Sequence, residues 1–272
     1  MIDAGTLAAL VALVAGVLVG MLMESFSPWR PVSPSPMVRW LNNLALTALD
    51  YAMLIVLAPV FMLILVRILG LRETGLLHWL GAGPMVSFLV VLLLFELFNY
   101  WVHRAFHSIP LLWRIHAVHH SDTQVDATTA HRHHPFELII STLLAMPLLV
   151  VLIPDPLVMM AYNVVRLALA GLTHANCSLP PAMDRMARYL FVTPDFHRLH
   201  HHAERCYTDS NYSGILTLFD RLFGTARDLP REAHLTMRLG LQEFREVRDA
   251  RLDRLLLMPF SRLFDRALQG TR

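Results

Sequence analysis

The distribution of apolar residues restricts this chain most: they gather into runs of 16 to 20, separated by Arg-rich connections. A soluble chain of this length would spread them as stripes along amphipathic helices. The sequence therefore reads as an integral membrane protein. Its 272 residues are 55% hydrophobic and 16% charged, with a mean hydropathy of +0.48. These values exclude a disordered tail protein, a collagen-like fibre and a disulfide-stapled secreted module. All 23 basic residues are Arg and the net charge is +2. The Arg usage reflects genome composition, and no nucleic-acid surface is implied. Cys177 and Cys206 form neither a disulfide framework nor a CxxC pair, which points to a reducing compartment.

The first run, Ala4 to Met23, is uncharged and long enough to cross the hydrocarbon core. Only Asp3 stands where a signal peptide would carry basic residues, so the run reads as a retained span. A Pro- and Ser-rich connection leads to a second span at about Leu44 to Val66, with Asp50 near one end. The third span, Met85 to Tyr100, contains Glu96 and continues without a breaker into Trp101 to His107. Leu138 to Ile153 and Leu157 to Leu172 flank Pro154-Asp155-Pro156, the pattern of a helical hairpin that crosses and returns.

The expected fold is all-α: a membrane bundle of four or five spans carrying a histidine-rich helical metal domain. Residues 1–83 form its first helices, 84–228 the core with the histidines and the hairpin, and 229–272 a basic amphipathic tail. Segments 24–43, 99–137 and 174–272 hold 20 arginines, whereas the opposite side holds Arg67 and Arg72, so the first group is placed in the cytoplasm. The tail from Arg248 to Leu268 alternates Arg with Leu252, Leu255, Leu256, Phe260, Leu263 and Phe264. It suits either a helix on the inner leaflet or one packed on its own domain. The expected location is a bacterial inner membrane.

Thirteen of the 15 histidines fall between positions 103 and 202. His103 and His107 stand at i and i+4, so on a helix they share one face, about 5–6 Å apart. His116, His119 and His120 follow at i, i+3 and i+4, and His197, His200 and His201 repeat that spacing. Each triplet offers three imidazoles in one direction, and two crossings between them return the chain to the same side. Eight imidazoles without a matching carboxylate cluster exceed the four ligands of tetrahedral zinc. They suit two borderline metals such as iron, with positions left open for oxygen. A metal-free patch, a structural zinc site and bis-His haem ligation are the alternatives. His174 follows the hairpin and is placed to face the site. His131, His133 and His134 form a capping turn before Pro135 and are open to ligation, whereas His202 turns to the wrong face and reads as solvated. Glu96 either orients a ligand or pairs with Arg166.

These boxes resemble those of the fatty acid hydroxylase/sterol desaturase superfamily of membrane di-iron proteins, over roughly residues 90–225. His103/His107, His116/His119/His120 and His197/His200/His201 meet its HxxxH, HxxHH and HxxHH pattern. Arg132-His133-His134-Pro135-Phe136-Glu137 looks like its Arg-x-His-Pro-x-Glu element. Val192-Thr193-Pro194, Asp209-Ser210-Asn211-Tyr212 and Phe219-Asp220-Arg221-Leu222-Phe223-Gly224-Thr225 look like its motifs around the third box. Phe219 stands where Trp is usual, and Ser178 stands where some members carry a second histidine four residues after His174.

The resemblance implies O2-dependent hydroxylation or desaturation of a lipid C–H bond at two irons, with zinc as a non-native substitute. His103, His107, His116, His119, His120, His174, His197, His200 and His201 are the expected ligands. His134, Glu96, Asp209 and Asn211 are expected to steady them or join them. The chain carries neither a GxGxxG nor a haem CxxCH motif, so electrons are expected from a ferredoxin- or cytochrome-type partner. Two other function classes compete. A metal transporter would place ionisable ligands at the midplane of its spans, and a catalytically silent metal- or lipid-binding protein would have lost boxes that this chain retains.

Overall fold

The structure, a computed structural model, describes residues 4–32, 36–69, 75–262 and 264. Arg72 and Leu263, and the tail beyond Phe264, lie outside the described residues. The described residues are helical and contain no strand, only the isolated bridges Phe191 to Leu216 and His202 to Leu239. The helices are α1 (Ala4–Phe26), α2 (Met37–Leu69), α3 (Leu76–Trp79), α4 (Pro84–Ser108), α5 (Pro110–His120), α6 (Pro135–Leu152) and α7 (Pro156–His174). They continue as α8 (Pro181–Ala187), α9 (Pro194–His200), α10 (Arg205–Thr208), α11 (Leu218–Leu222), α12 (Ala233–Thr236) and α13 (Leu252–Leu257).

Among the described residues five helices, α1, α2, α4, α6 and α7, are long and apolar enough to cross a membrane. Only helices can do so as open segments, because hydrocarbon offers no partner to a free peptide group. Leu7, Val56, Val86, Leu89, Leu144 and Val151 stand exposed along them, a surface suited to lipid. The chain is therefore a helical membrane bundle.

Proline sets many of the boundaries. Pro84, Pro110, Pro135, Pro156, Pro181 and Pro194 each open a helix, where their fixed φ is pre-set and their missing N–H is not needed. The hairpin turns at Ile153, whose φ of 39° is left-handed, and Asp155 caps α7 through Leu157 N.

Two contacts position the site. α1 lies along α7, with Gly16 and Gly171 backbone to backbone. The start of α2 reaches beyond the apolar run into the metal domain. There Arg39 pairs with Asp122 and Asp126, while Asn43 donates to Asp122 and to Thr128 Oγ1. The described part of the tail is broken into a 3-10 turn (Val247–Ala250), α13 and a second 3-10 turn (Met258–Phe260). Leu255 and Met258 are buried against Leu46, Ala117 and Val118, and Leu252 N donates to Asn42 Oδ1. Of the two placements the sequence left open, this segment packs on its own domain.

Candidate metal centre

α4 continues past the bilayer run to carry His103 and His107, and α5 carries His116, His119 and His120 beside them. The hairpin α6–α7 brings His174 back to the same end, and α9 with the residue after it supplies His197, His200 and His201. The nine side chains divide into two sets: His103, His107, His116, His120 and His200 in one, and His119, His174, His197 and His201 in the other. Within each set the ligand atoms all lie within 4.8 Å of one another.

Each triplet is thus shared between the sets, where the sequence suggested three rings in a single direction. At 3.6 residues per turn, position i+4 lies about 40° to one side of i and position i+3 about 60° to the other. The i and i+4 rings stay together, and the i+3 ring is handed across. His119 leaves the second box for the second set, and His200 leaves the third box for the first.

Hydrogen bonds fix which ring nitrogen faces inward. The Nδ1–H of His103 donates to Tyr212 O (2.6 Å) and that of His200 to Ser210 O (2.6 Å). That of His107 donates to Asp209 Oδ1 (3.2 Å) and that of His116 to Glu137 Oε1 (2.8 Å). Thr208 spends its own proton on His200 O, so at 3.3 Å its Oγ1 accepts from His120 Nδ1–H. Every ring of the first set is therefore anchored through Nδ1, leaving a bare Nε2 pointing in.

His116 Nε2 lies 3.0 Å from His103 Nε2 and 3.2 Å from His120 Nε2. None of the three carries a proton to donate, so lone pairs face one another across these gaps. His107 Nε2 and His200 Nε2 are also buried without a partner among the described residues. A cation between these atoms resolves both problems. With metal–nitrogen distances of about 2.1 Å, neighbouring ligand atoms stand about 3.0–3.4 Å apart.

In the second set His174 donates Nδ1–H to Ala170 O (2.8 Å). Its Nε2 lies 2.9 Å from His197 Nε2 and 3.4 Å from His119 Nε2, and His201 Nε2 is 3.3 Å from His197 Nε2. The Nδ1 atoms of His119, His197 and His201 have no partner among the described residues, so this set is held less tightly from outside. Burial depresses the basicity of His119, His120, His197, His200 and His201 well below the ordinary imidazole range, which keeps these rings in the neutral form that metals bind.

Comparison with known proteins gives this arrangement its family. The fatty acid hydroxylase profile matches residues 88–225, half of the chain. The chain belongs to the fatty acid hydroxylase family.

Among curated relatives, human alkylglycerol monooxygenase is 30% identical over 127 residues, covering 46% of this chain and 27% of that protein. An ornithine lipid hydroxylase of Rhizobium tropici is 30% identical over 155 residues, covering 56% of this chain and 46% of that protein. A very-long-chain aldehyde decarbonylase of Oryza sativa is 32% identical over 165 residues, 57% of this chain and 23% of that protein. The matched segments thus span less than half of these relatives. No solved structure is a significant match.

The other family motifs hold the loops from which the histidines are steadied. Asp220 accepts from Tyr212 N, Ser213 N and Thr225 Oγ1, fixing the loop whose carbonyl anchors His103. Phe219, in place of the usual Trp, packs on Tyr100. Asn211, with a φ of 52°, donates to Phe196 O and Arg227 O; among the described residues its side chain bonds to no histidine, and it braces Ser210 and Tyr212 on either side. Asp209 is in contact with His107, as noted above. Ser178 donates to Asp195 Oδ2.

Three sequence-based placements change. Both nitrogens of His134 are used away from the centre, one accepting from Phe136 N and the other donating to Leu256 O. Glu96 reaches no histidine; it accepts from Ile215 N, Leu216 N and Tyr162 Oη, and Arg166 acts on it electrostatically without forming an ion pair within 4 Å. His202 lies outside both sets, yet it is buried rather than solvated, with Nδ1 accepting from Glu204 N.

Sequence reasoning gave no role to Glu137, and it left His133 open to ligation without a partner. One oxygen of Glu137 lies 2.8 Å from His116 Nδ1 and 3.0 Å from His133 Nδ1, and the His133 ring stacks on His119 at 4.4 Å. Burial alone would lower the basicity of His133, but the Glu137 carboxylate outweighs it and raises it. The Arg-x-His-Pro-x-Glu element was the available signal.

Proposed function

We propose that this protein is a membrane-bound di-iron oxygenase that hydroxylates or desaturates a lipid C–H bond, using O2 and electrons from an external ferredoxin- or cytochrome-type donor. One observation carries the reading: two adjoining sets of buried, inward-facing imidazole nitrogens open onto a cavity that continues between the spans. That cavity, of about 230 Å³, is lined by His103, His116, His119, His174 and His197 at one end and by residues of α2, α4, α6 and α7 beyond them.

Iron held by the two sets would supply the activation of O2. The chain's own groups do the rest. Tyr212 O, Ser210 O, Asp209, Glu137 and Thr208 hold the rings of the first set in the tautomer that presents Nε2. Burial keeps bulk water from the site, and the cavity gives a lipid a path from the bilayer. Ligands gathered at one end of the spans suit this chemistry better than transport, which needs them at the midplane. Arg-rich segments on the same side as the boxes suit an acidic electron donor, and they support a cytoplasmic position for the boxes in a bacterial inner membrane.

The test is anaerobic iron loading of the purified protein, followed by lipid mass spectrometry of cells with and without it. About two irons per chain, and a lipid that gains one oxygen or loses two hydrogens, are expected. Fewer than about one iron per chain, or an unchanged lipid profile, overturns the reading. Zinc in an aerobic sample does not, because zinc competes well for nitrogen ligands.

A further inference from the structure

The cavity that leads away from the histidines is not lined as an alkyl channel should be. Four different spans send polar side chains into it: Asp50 and Tyr51 from α2, Glu96 and Asn99 from α4, Ser141 from α6 and Arg166 from α7. Glu96 is accounted for, since Oε2 accepts from Ile215 N and Leu216 N, tying that loop to α4, and Oε1 accepts from Tyr162 Oη of α7.

Asp50 and Arg166 are not accounted for in that way. Asp50 is 3% exposed, and its Oδ1 has no hydrogen-bond partner among the described residues. Arg166 is exposed and has no carboxylate within 4 Å among the described residues; Glu96, which lines the same cavity, acts on it only across a longer gap and has its own oxygens committed to other donors. It lies ten residues after the start of α7 and eight before His174, about 15 Å from one end and 12 Å from the other. A guanidinium at that depth is costly unless something in the cavity meets it, and so is a buried carboxylate without a donor. An acid and a base that line one cavity without neutralising each other form a site for a ligand that carries both complementary charges.

Building on the oxygenase reading above, we propose that the cavity takes the zwitterionic head of a lipid, with its cationic amine on Asp50 and its anionic group on Arg166. Arg166, Ala170, Thr173 and His174 lie along one face of α7 and all line the cavity. A head group held at Arg166 then presents to the histidines a carbon within about 10–12 Å of its charges. Oxidation falls in the head group or the first carbons beyond it, away from the middle or end of an acyl chain.

The experiment is native mass spectrometry of the full chain in detergent with three competing lipids: phosphatidylethanolamine, phosphatidylglycerol and diacylglycerol. Phosphatidylethanolamine, with both charges, should be retained at least about tenfold over diacylglycerol. Asp50→Asn should erase its advantage over phosphatidylglycerol, and Arg166→Gln should weaken both charged lipids. Equal retention of all three lipids by the unaltered protein overturns the proposal by itself, whether or not the variants fold. Unchanged discrimination in folded, metal-retaining variants overturns it as well. Selective retention without any oxidised lipid leaves the head-group site standing and removes the oxygenase reading, so the two failures are distinguishable.

Discussion

At Glu137 one carboxylate oxygen serves two imidazoles, setting the tautomer of His116 and anchoring His133 over His119. Replacing it with Leu should lower metal affinity on the order of 10- to 100-fold, the usual cost of losing a group that steadies a ligand. Glu137→Gln, which can still accept from His116 Nδ1–H, should recover most of that loss in a chelator competition. The third box gives a sharper contrast between neighbours. His201→Ala should abolish metal binding to the second set. His202→Ala should keep the metal and lose about 1–2 kcal/mol of stability, because it removes the hydrogen bond from Glu204 N and the ring contact with Tyr207 but no metal-facing nitrogen. Metal analysis alongside a thermal melt separates the two outcomes. Eight of the histidines were legible because their spacing repeats and His174 because it follows the hairpin, but their division was not, since i+3 and i+4 separate only when the rings have real partners to meet. Nor were the anchors legible: Tyr212, Ser210 and Ala170 act through carbonyls that any residue would supply.

At the level of elements, the apolar runs located five spans and proline located the starts of α6 and α7, whereas the starts at Pro84, Pro110, Pro181 and Pro194 emerged only in the structure. The start of α2 was missed by seven residues because Arg39, Asn42 and Asn43 are helical without being apolar, and they face buried polar partners instead of lipid. The contact between α1 and α7 was equally hidden, since glycine in an apolar run gives no sign of what approaches it. A Cβ added at Gly16 would lie 2.6 Å from Ala168 O, and one at Gly171 would lie 2.5 Å from the carbonyl carbon of Gly16. These neighbours are backbone, so the helices themselves must part. Gly16→Val and Gly171→Val should each cost about 1–3 kcal/mol, the usual range for overpacking. Gly83→Ala, where nothing lies within 4 Å, is the control. A melt in detergent should show both valine variants well below the control, and equal melting temperatures would mean that α1 does not seat on α7 this closely.

For the molecule as a whole, the geometry ties sidedness to chemistry. The first box lies at the C-terminal end of α4, the second lies on α5 directly after it, and the third follows a hairpin that crosses and returns, so a single centre requires all three on one face. Ser108, exposed at the end of α4, and Cys206, exposed after the third box, should share a compartment. Leu80, exposed before α4, should lie across the membrane, because the 25 residues of α4 rise about 37 Å and exceed a hydrocarbon core of about 30 Å. The proposal that this shared face is cytoplasmic rests on the arginine distribution. In a Cys206→Ser background, Leu80→Cys should react with an impermeant maleimide added to intact cells, whereas Ser108→Cys should react only after the membrane is opened. Native Cys206, tested alone, should behave like Ser108→Cys, and buried Cys177 should stay silent in all three. Labelling of Ser108→Cys from outside together with Cys206 would invert the protein but keep a single centre. Labelling of one and not the other would place the boxes on opposite faces, and no folding of these helices could then gather nine imidazoles around one pair of metals.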